Sequence, residues 1–408
     1  MNGNISIIEN PETHRLLYIL LLIATPFLLL QNYLQSVIGE LSNLTYPVGS
    51  IDIPVTVTIA VIGVIIILFF SFRKLNFIRL ISWFVVLFLF WIGQKSTDYY
   101  FNHKFYELQY NWHYFAYAIF AYLNYRALSL KNLPSQKIIL LTFISALATS
   151  TLDEFLQMPL SNRIFDIGDI SKDVWGTMIG LFVIYFILEN GSILIVGWKI
   201  RQPTLKDYFK NPLSLLILLF MLAYIFMVIA SLLTETTFIL STILITFLIF
   251  GVVFLIIHLT QFKLSRNIII IVITGLFITQ GYYINKYFND NIISTNNNIL
   301  IYKGIPIVYF DVLIYPDGLF RLVDKKKVFN QRDQQTIFTL CDNIIVFGTG
   351  YDGDGGKGFP LTDETQFVFN ESNNHGIQII LQKNKDACDT YNRLKAEGKN
   401  PLLIYHNN

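Results

Sequence analysis

The residues best placed to do chemistry lie in Ser150–Gly180, STLDEFLQMPLSNRIFDIGDISKDVWGTMIG. This stretch sits between two long apolar runs yet carries Asp153, Glu154, Gln157, Arg163, Asp166, Asp169, Lys172 and Asp173. A charged side chain at a membrane helix centre costs about 2.5–3.5 kcal/mol on insertion scales unless it is paired or wetted. The stretch therefore packs a paired network or lines a polar site. On a helix, Ser150, Asp153 or Glu154, and Gln157 share one face by the three-and-four spacing. Asp169, Asp173, Gly176 and Gly180 also share a face, provided the helix begins that early. Gly176-x-x-x-Gly180 lets a neighbouring helix backbone come close. An earlier apolar run opens near Asn111, which puts His113 at its end with Tyr110 and Tyr117 on the same face.

Each of these residue types suits a definite role. Arg163 can hold a phosphate or carboxylate in a two-pronged grip. Asp153 and Glu154 are candidates for a general acid and His113 for a base. No nucleophile stands out, and no His-rich spacing points to a metal, so neither metal nor cofactor is expected and catalysis stays open. The alternative is structural. Asp169 and Asp173 then stabilise a helix amino end, and Arg163 pairs with Glu154.

The elements that must position these groups are membrane helices. The 408 residues are 53% hydrophobic and 14% charged, and the mean hydropathy is +0.50, the profile of a membrane protein. A net charge of +2 gives no basic excess to suggest nucleic acid. Cys341 and Cys388 form no disulfide framework. Residues 1–14 are polar, and the apolar run after them is too long for a signal peptide. Runs long enough to span occur near 15–35, 54–72, 77–94, 111–129, 136–157, 173–190, 212–233, 236–258 and 267–287, about nine helices. Lys and Arg concentrate in alternate loops: Arg73, Lys74 and Arg79; Arg126, Lys131 and Lys137; Lys199, Arg201, Lys206 and Lys210; Lys263 and Arg266. The positive-inside rule then places the N-terminus in the cytoplasm and Ser150–Asp173 at the outer face. Nine spans put the C-terminal region outside, and an even number would put it inside.

Composition changes after Phe288. Residues 288–298 read as a polar, Asn-rich linker. Residues 299–408 read as a small soluble three-layer α/β domain. Its expected strands are ILIYKGIPIVYFDVLIYP with a Pro316-Asp317-Gly318 turn, DNIIVFGTG, Gly376–Leu381 and a closing PLLIYH. Its expected helices are Gln331–Leu340 and Asp386–Gly398, the latter with Gly398 at its C-cap. Phe347–Gly350 lacks the remainder of a phosphate loop. Asp352-Gly-Asp354 lacks the glycine of a calcium loop, because Lys357 stands there.

Two resemblances follow from these residues. His113 in NWHYFAY, Glu154 with Gln157, Arg163, Asp169, Asp173, Gly176 and Gly180 resemble the pattern of the VanZ-like membrane family over residues 75–190. The resemblance implies a bacterial envelope protein in a multi-pass cytoplasmic membrane, whose founding member confers low-level teicoplanin resistance. DVLIYPDG, IIVFGTG, GIQII and ACDTYNRLKAEGKNPLLIY resemble the MTH-type domain, an α/β fold with a complex I assembly factor among its relatives. The expected order is a VanZ-like membrane domain at 1–200, further membrane helices at 201–287, the linker at 288–298 and the MTH-like domain at 299–408. Expected partners are membrane lipids or cell-wall precursor head groups, and a membrane protein partner through residues 299–408.

Overall fold

The structure is a computed structural model. It describes residues 10–28, 37, 40–41, 44–49, 51–59, 61–62, 76–100, 108–160, 164–195, 202–234, 236–287, 292–294, 299–323, 341, 343–353, 355, 366–370 and 375–407. The chain is mostly helical and divides into two compact units, one of residues 1–231 with 241–258 and one of residues 232–240 with 259–408.

The first unit is built from α1 (Pro11–Leu28), α2 (Phe77–Ser96), α3 (Leu108–Ser129), α4 (Ser135–Gln157), α5 (Ile167–Phe182), α6 (Pro212–Leu232) and most of α7 (Ile239–Leu259). α5 continues as a π-helix over Val183–Leu188, which Asn190 and Gly191 close in left-handed conformations. Asn76 caps α2 by accepting the Arg79 N–H at 2.9 Å, and the Asp166 carboxylate caps α5 by accepting the Gly168 N–H at 2.7 Å. Between the first two expected spans, β1 (Thr45–Val48) and β2 (Ile51–Pro54) form a hairpin turned at Gly49.

α5 is the centre of this unit, buried along nearly all of Ile167–Phe182. Trp175, Met178, Leu181 and Tyr185 pack with Tyr114 of α3, Ile139 of α4, and Leu216 and Met227 of α6. The glycine pair sets the closest approach. A Cβ at Gly176 would lie 2.8 Å from the Tyr114 Cα, and one at Gly180 would lie 2.7 Å from the Ala118 carbonyl oxygen. α5 thus packs backbone to backbone on α3, as small residues at this spacing permit.

Among the described residues, six helices are long and apolar enough to cross a membrane: α2, α4, α5 with its π extension, α6, α7, and α8 (Lys263–Lys286) of the second unit. α3 has the length, but Asn111, His113, Asn124 and Arg126 interrupt it. Of the first two expected spans, α1 reaches Leu28, and helical backbone covers 55–59 and 61–62; the remainder lies outside the described residues. The sixth expected span, 173–190, begins earlier, at Ile167, because Asp166 supplies the cap.

The second unit pairs α8 with two sheets. β3 (Ile292–Ser294), β4 (Leu300–Tyr302) and β5 (Ile305–Ile307) form an antiparallel sheet. Ile292–Ser294 lies within the stretch expected to be a linker; its Ile-Ile pair joins the sheet through β4, so that reading is corrected there. Gly304, at φ +80, turns the β4–β5 hairpin, and a Cβ there would lie 2.8 Å from the Ile284 nitrogen of α8. The Gln280 side chain donates to the Gly304 carbonyl at 2.9 Å. A six-stranded sheet follows in the order β7 (Phe320–Val323), β6 (Asp311–Ile314), β11 (Leu402–Tyr405), β8 (Ile344–Gly348), β10 (His375–Gln382), β9 (Gln366–Asn370). β10 and β11 run parallel to β8, and the other pairings are antiparallel. α9 (Asn384–Ala396) links β10 to β11 and packs Ala387, Cys388, Tyr391 and Leu394 inward. It begins two residues before the expected Asp386, and Gly398 adopts φ +77 past its end. Just beyond β11, His406 Nδ1 lies 2.5 Å from Asp311 Oδ2, and the Asn407 N–H donates to Asp311 Oδ1 at 2.8 Å, which ties the last strand to β6. The second expected helix, Gln331–Leu340, lies outside the described residues.

Candidate functional site

Four helix ends meet at one end of the first unit: the carboxyl ends of α2 and α4 and the amino ends of α3 and α5. Asp173, nearly two turns inside α5, is the hub. Its Oδ1 lies 2.8 Å from His113 Nδ1 of α3, and its Oδ2 accepts the Ser150 hydroxyl of α4 at 2.6 Å. The Asp173 side chain is 4% exposed and that of His113 25%, so the pair reaches from the interior to the rim. His113 Nε2 stands 3.7 Å from Asp169 Oδ1. The same Asp169 oxygen accepts Lys172 Nζ at 2.9 Å, and Lys172 also reaches Asp98 Oδ2 at 2.7 Å. One connected series thus runs Asp98, Lys172, Asp169, His113, Asp173, Ser150.

A second arm lies at the end of α4. Glu154 and Gln157 are buried. Glu154 accepts the Asp166 N–H at 2.9 Å and the Gln157 side-chain amide at 3.4 Å. The α4 face expected from spacing thus ties itself to the loop that starts α5. Asp153 is half-buried, and its Oδ1 has no hydrogen-bond partner. Burial pushes the Asp166 carboxyl up to about 6, and the Asp169 charge adds to that.

The structure brings His113, Asp153, Glu154, Gln157, Asp169 and Asp173 to one end of the bundle, while Gly176 and Gly180 serve the α3–α5 contact. Arg163 lies outside the described residues, and with it the expected pairing to Glu154. Asp98 and Lys172 belong to the network but were not among the expected site residues. Asp98 follows the carboxyl end of α2, where the helix dipole disfavours an anion, so an acid there signals a partner elsewhere. Lys172 sits one turn after Asp169, a spacing that pairs opposite charges on one helix. Thr97, which caps α2 through Gly93, also meets the Tyr114 hydroxyl at 3.0 Å and fixes the turn that presents Asp98. Among the described residues no group of His, Cys, Asp and Glu is arranged to hold a metal ion.

The described network contains six carboxylates, from Asp98, Asp153, Glu154, Asp166, Asp169 and Asp173, against Lys172 and His113. It favours a guest that brings positive charge or hydrogen-bond donors, and it offers His113 next to Asp173 as a site for proton exchange. Comparison with protein-family models, curated proteins and solved structures finds no match. Fold and site together define the class: a membrane-associated, mostly helical protein with a charged cluster at one end of its helical unit and a separate C-terminal sheet unit.

Proposed function

We propose that this is a VanZ-like integral membrane protein of the bacterial cell envelope, with about nine spans and a cytoplasmic N-terminus. In this reading its polar cluster faces outward and binds the head group of a lipid or peptidoglycan precursor, lowering susceptibility to teicoplanin-type lipoglycopeptides. The convergence of Ser150 and His113 on the buried Asp173 carboxylate carries the reading, because three helices supply one acceptor centre. The excess of carboxylates selects head groups with ammonium, amide or hydroxyl donors, and Arg163 remains the residue to hold an anionic part. The test is alanine substitution at Glu154, Gln157, Arg163 and Asp173, followed by lipoglycopeptide tolerance with insertion checked by fractionation. Tolerance should be lost; unchanged tolerance in all four variants would overturn the reading.

The mutual pairing of Asp98, Lys172 and Asp169 favours a second reading, since those charges satisfy one another without a guest. In it the protein is a non-enzymatic scaffold that presents the MTH-like domain, residues 299–408, to a membrane complex. Deleting those residues then abolishes function, whereas head-group binding survives the deletion.

A further inference from the structure

The polar character of the helical unit does not stop at the charged cluster. Tyr117, one turn along α3 from His113, is 3% exposed. Its hydroxyl lies beside Ser150 and Asp173 without a well-formed hydrogen bond to either. Further along, Thr142 of α4 and Asn124 of α3 are both 0% exposed, and Thr142 Oγ1 and Asn124 Oδ1 have no partner. Asn124 uses only its amide N–H, toward the Phe120 carbonyl at 3.1 Å. The Ser129 hydroxyl, near the end of α3, lies beside Tyr125 without a well-formed hydrogen bond. One turn before it on α3, the Tyr125 hydroxyl donates to Glu189, which also accepts from Ser192. Here α5 runs as a π-helix, a form frequent at functional sites.

We infer that these residues mark a proton-conducting path through the α3–α4–α5 bundle, from His113 and Asp173 at one end to Tyr125 and Glu189 at the other. Asp173 and Glu189 are sixteen residues apart on one nearly continuous helix. At about 1.5 Å per residue that is about 24 Å, close to the hydrocarbon thickness of about 30 Å. A buried polar atom with no protein partner and no access to bulk solvent is satisfied by ordered water. In the inferred path, ordered water joins Tyr117, Thr142 and Asn124 and passes protons by exchanging hydrogen bonds. A charge network that only held helices together would need none of these three side chains. The mouth is open to solvent, with His113 and Asp169 side chains 25% and 26% exposed. The titratable groups facing it are His113 from α3, Asp153 and Glu154 from α4, Asp169, Lys172 and Asp173 from α5, and Asp98 from the end of α2. A proton taken up at one mouth leaves at the other; no electron moves and no covalent bond to carbon changes. The inference does not rest on head-group binding.

The full-length protein reconstituted in liposomes tests it. Internal pyranine reports proton flux under a potential set by valinomycin and a potassium gradient. Flux should exceed that of protein-free vesicles and fall by about tenfold in D173N and in the isosteric variants Y117F and T142V, which remove only the hydroxyl. The exposed T279V in α8 should keep wild-type flux. Flux no greater than in protein-free vesicles overturns the inference, as does wild-type flux in D173N, Y117F and T142V together. Each variant is scored only if it elutes as wild type, and T142V alone decides if the others do not fold. Because Thr142 lies away from the polar cluster, loss of flux in T142V with unchanged lipoglycopeptide tolerance separates this path from the proposed head-group site.

Discussion

At the residue scale, Lys172 is the cation on which the buried charges depend. Its side chain is 7% exposed and bridges Asp98 and Asp169. Taking it away leaves the largely buried Asp98 carboxylate without its cation, and breaking a buried pair costs about 3–5 kcal/mol. Lys172→Ala should therefore lower the thermal midpoint in detergent, and adding D98N and D169N should restore much of the loss. A midpoint unchanged by K172A would mean that the charges are better solvated than their burial indicates. Asp166 gives a pH signature. Its folded value, about 6, lies above the ordinary 3.8, so the folded state holds the proton more tightly than the unfolded chain. That contribution to stability is complete below 3.8 and is lost as pH rises through about 6. Asp166→Asn keeps a side chain suited to the N-cap and removes the titration. The slope of melting temperature against pH between about 4 and 6 should flatten in the variant. Asp169 and Asp173 were legible as a pair because helical periodicity ties residues three and four apart to one face, and His113 joined them because it ends its own apolar run on the side that the loop charges assign to them. Asp98 was not, because its partner lies on another helix.

At the element scale, the α3–α5 contact decides whether the cluster forms at all. Gly176 and Gly180 leave no room for a Cβ against the α3 backbone. Gly180→Leu should separate the helices and cost about 1–3 kcal/mol or more by overpacking. Cross-linking between cysteines placed at exposed positions of α3 and at the exposed Leu188 on the π extension of α5 would read the separation, and an unchanged cross-linking rate would contradict this packing. The glycine spacing was visible in the sequence. Which helix it faced was not, since any of several apolar neighbours could have lain there. The strand at Ile292–Ser294 was hidden for a related reason: three residues among asparagines form a strand only because β4 offers an edge.

At the scale of the whole molecule, the helices differ in what covers them. α5 is buried over most of its length, whereas α7 buries Thr242 and Thr246 alone and α8 buries no residue, as expected of helices that face lipid. Sidedness of the C-terminal domain is the measurement that divides odd from even span counts. Cys341 and Cys388 are buried and so are poor reporters. Tyr351, 57% exposed in a glycine-rich turn, is a better position. With Tyr351→Cys, a membrane-impermeant maleimide should label intact cells if the domain is outside. Labelling only after permeabilisation would put it inside and make the number of spans even.

The sequence by itself determined the membrane character, the positions of most long helices, the β content after residue 299 and the grouping of acids with His113. These follow from local rules: apolar run length, helical spacing and turn chemistry. Only the tertiary structure decided that Asp173 is the shared acceptor of His113 and Ser150, that Asp98 and Lys172 complete the network, and that Tyr117, Thr142 and Asn124 are buried. The reason is physical. A charge or hydroxyl in an apolar bundle finds its partner across helices, at a distance set by backbone approach, and that approach depends on how glycines and large side chains interlock in three dimensions.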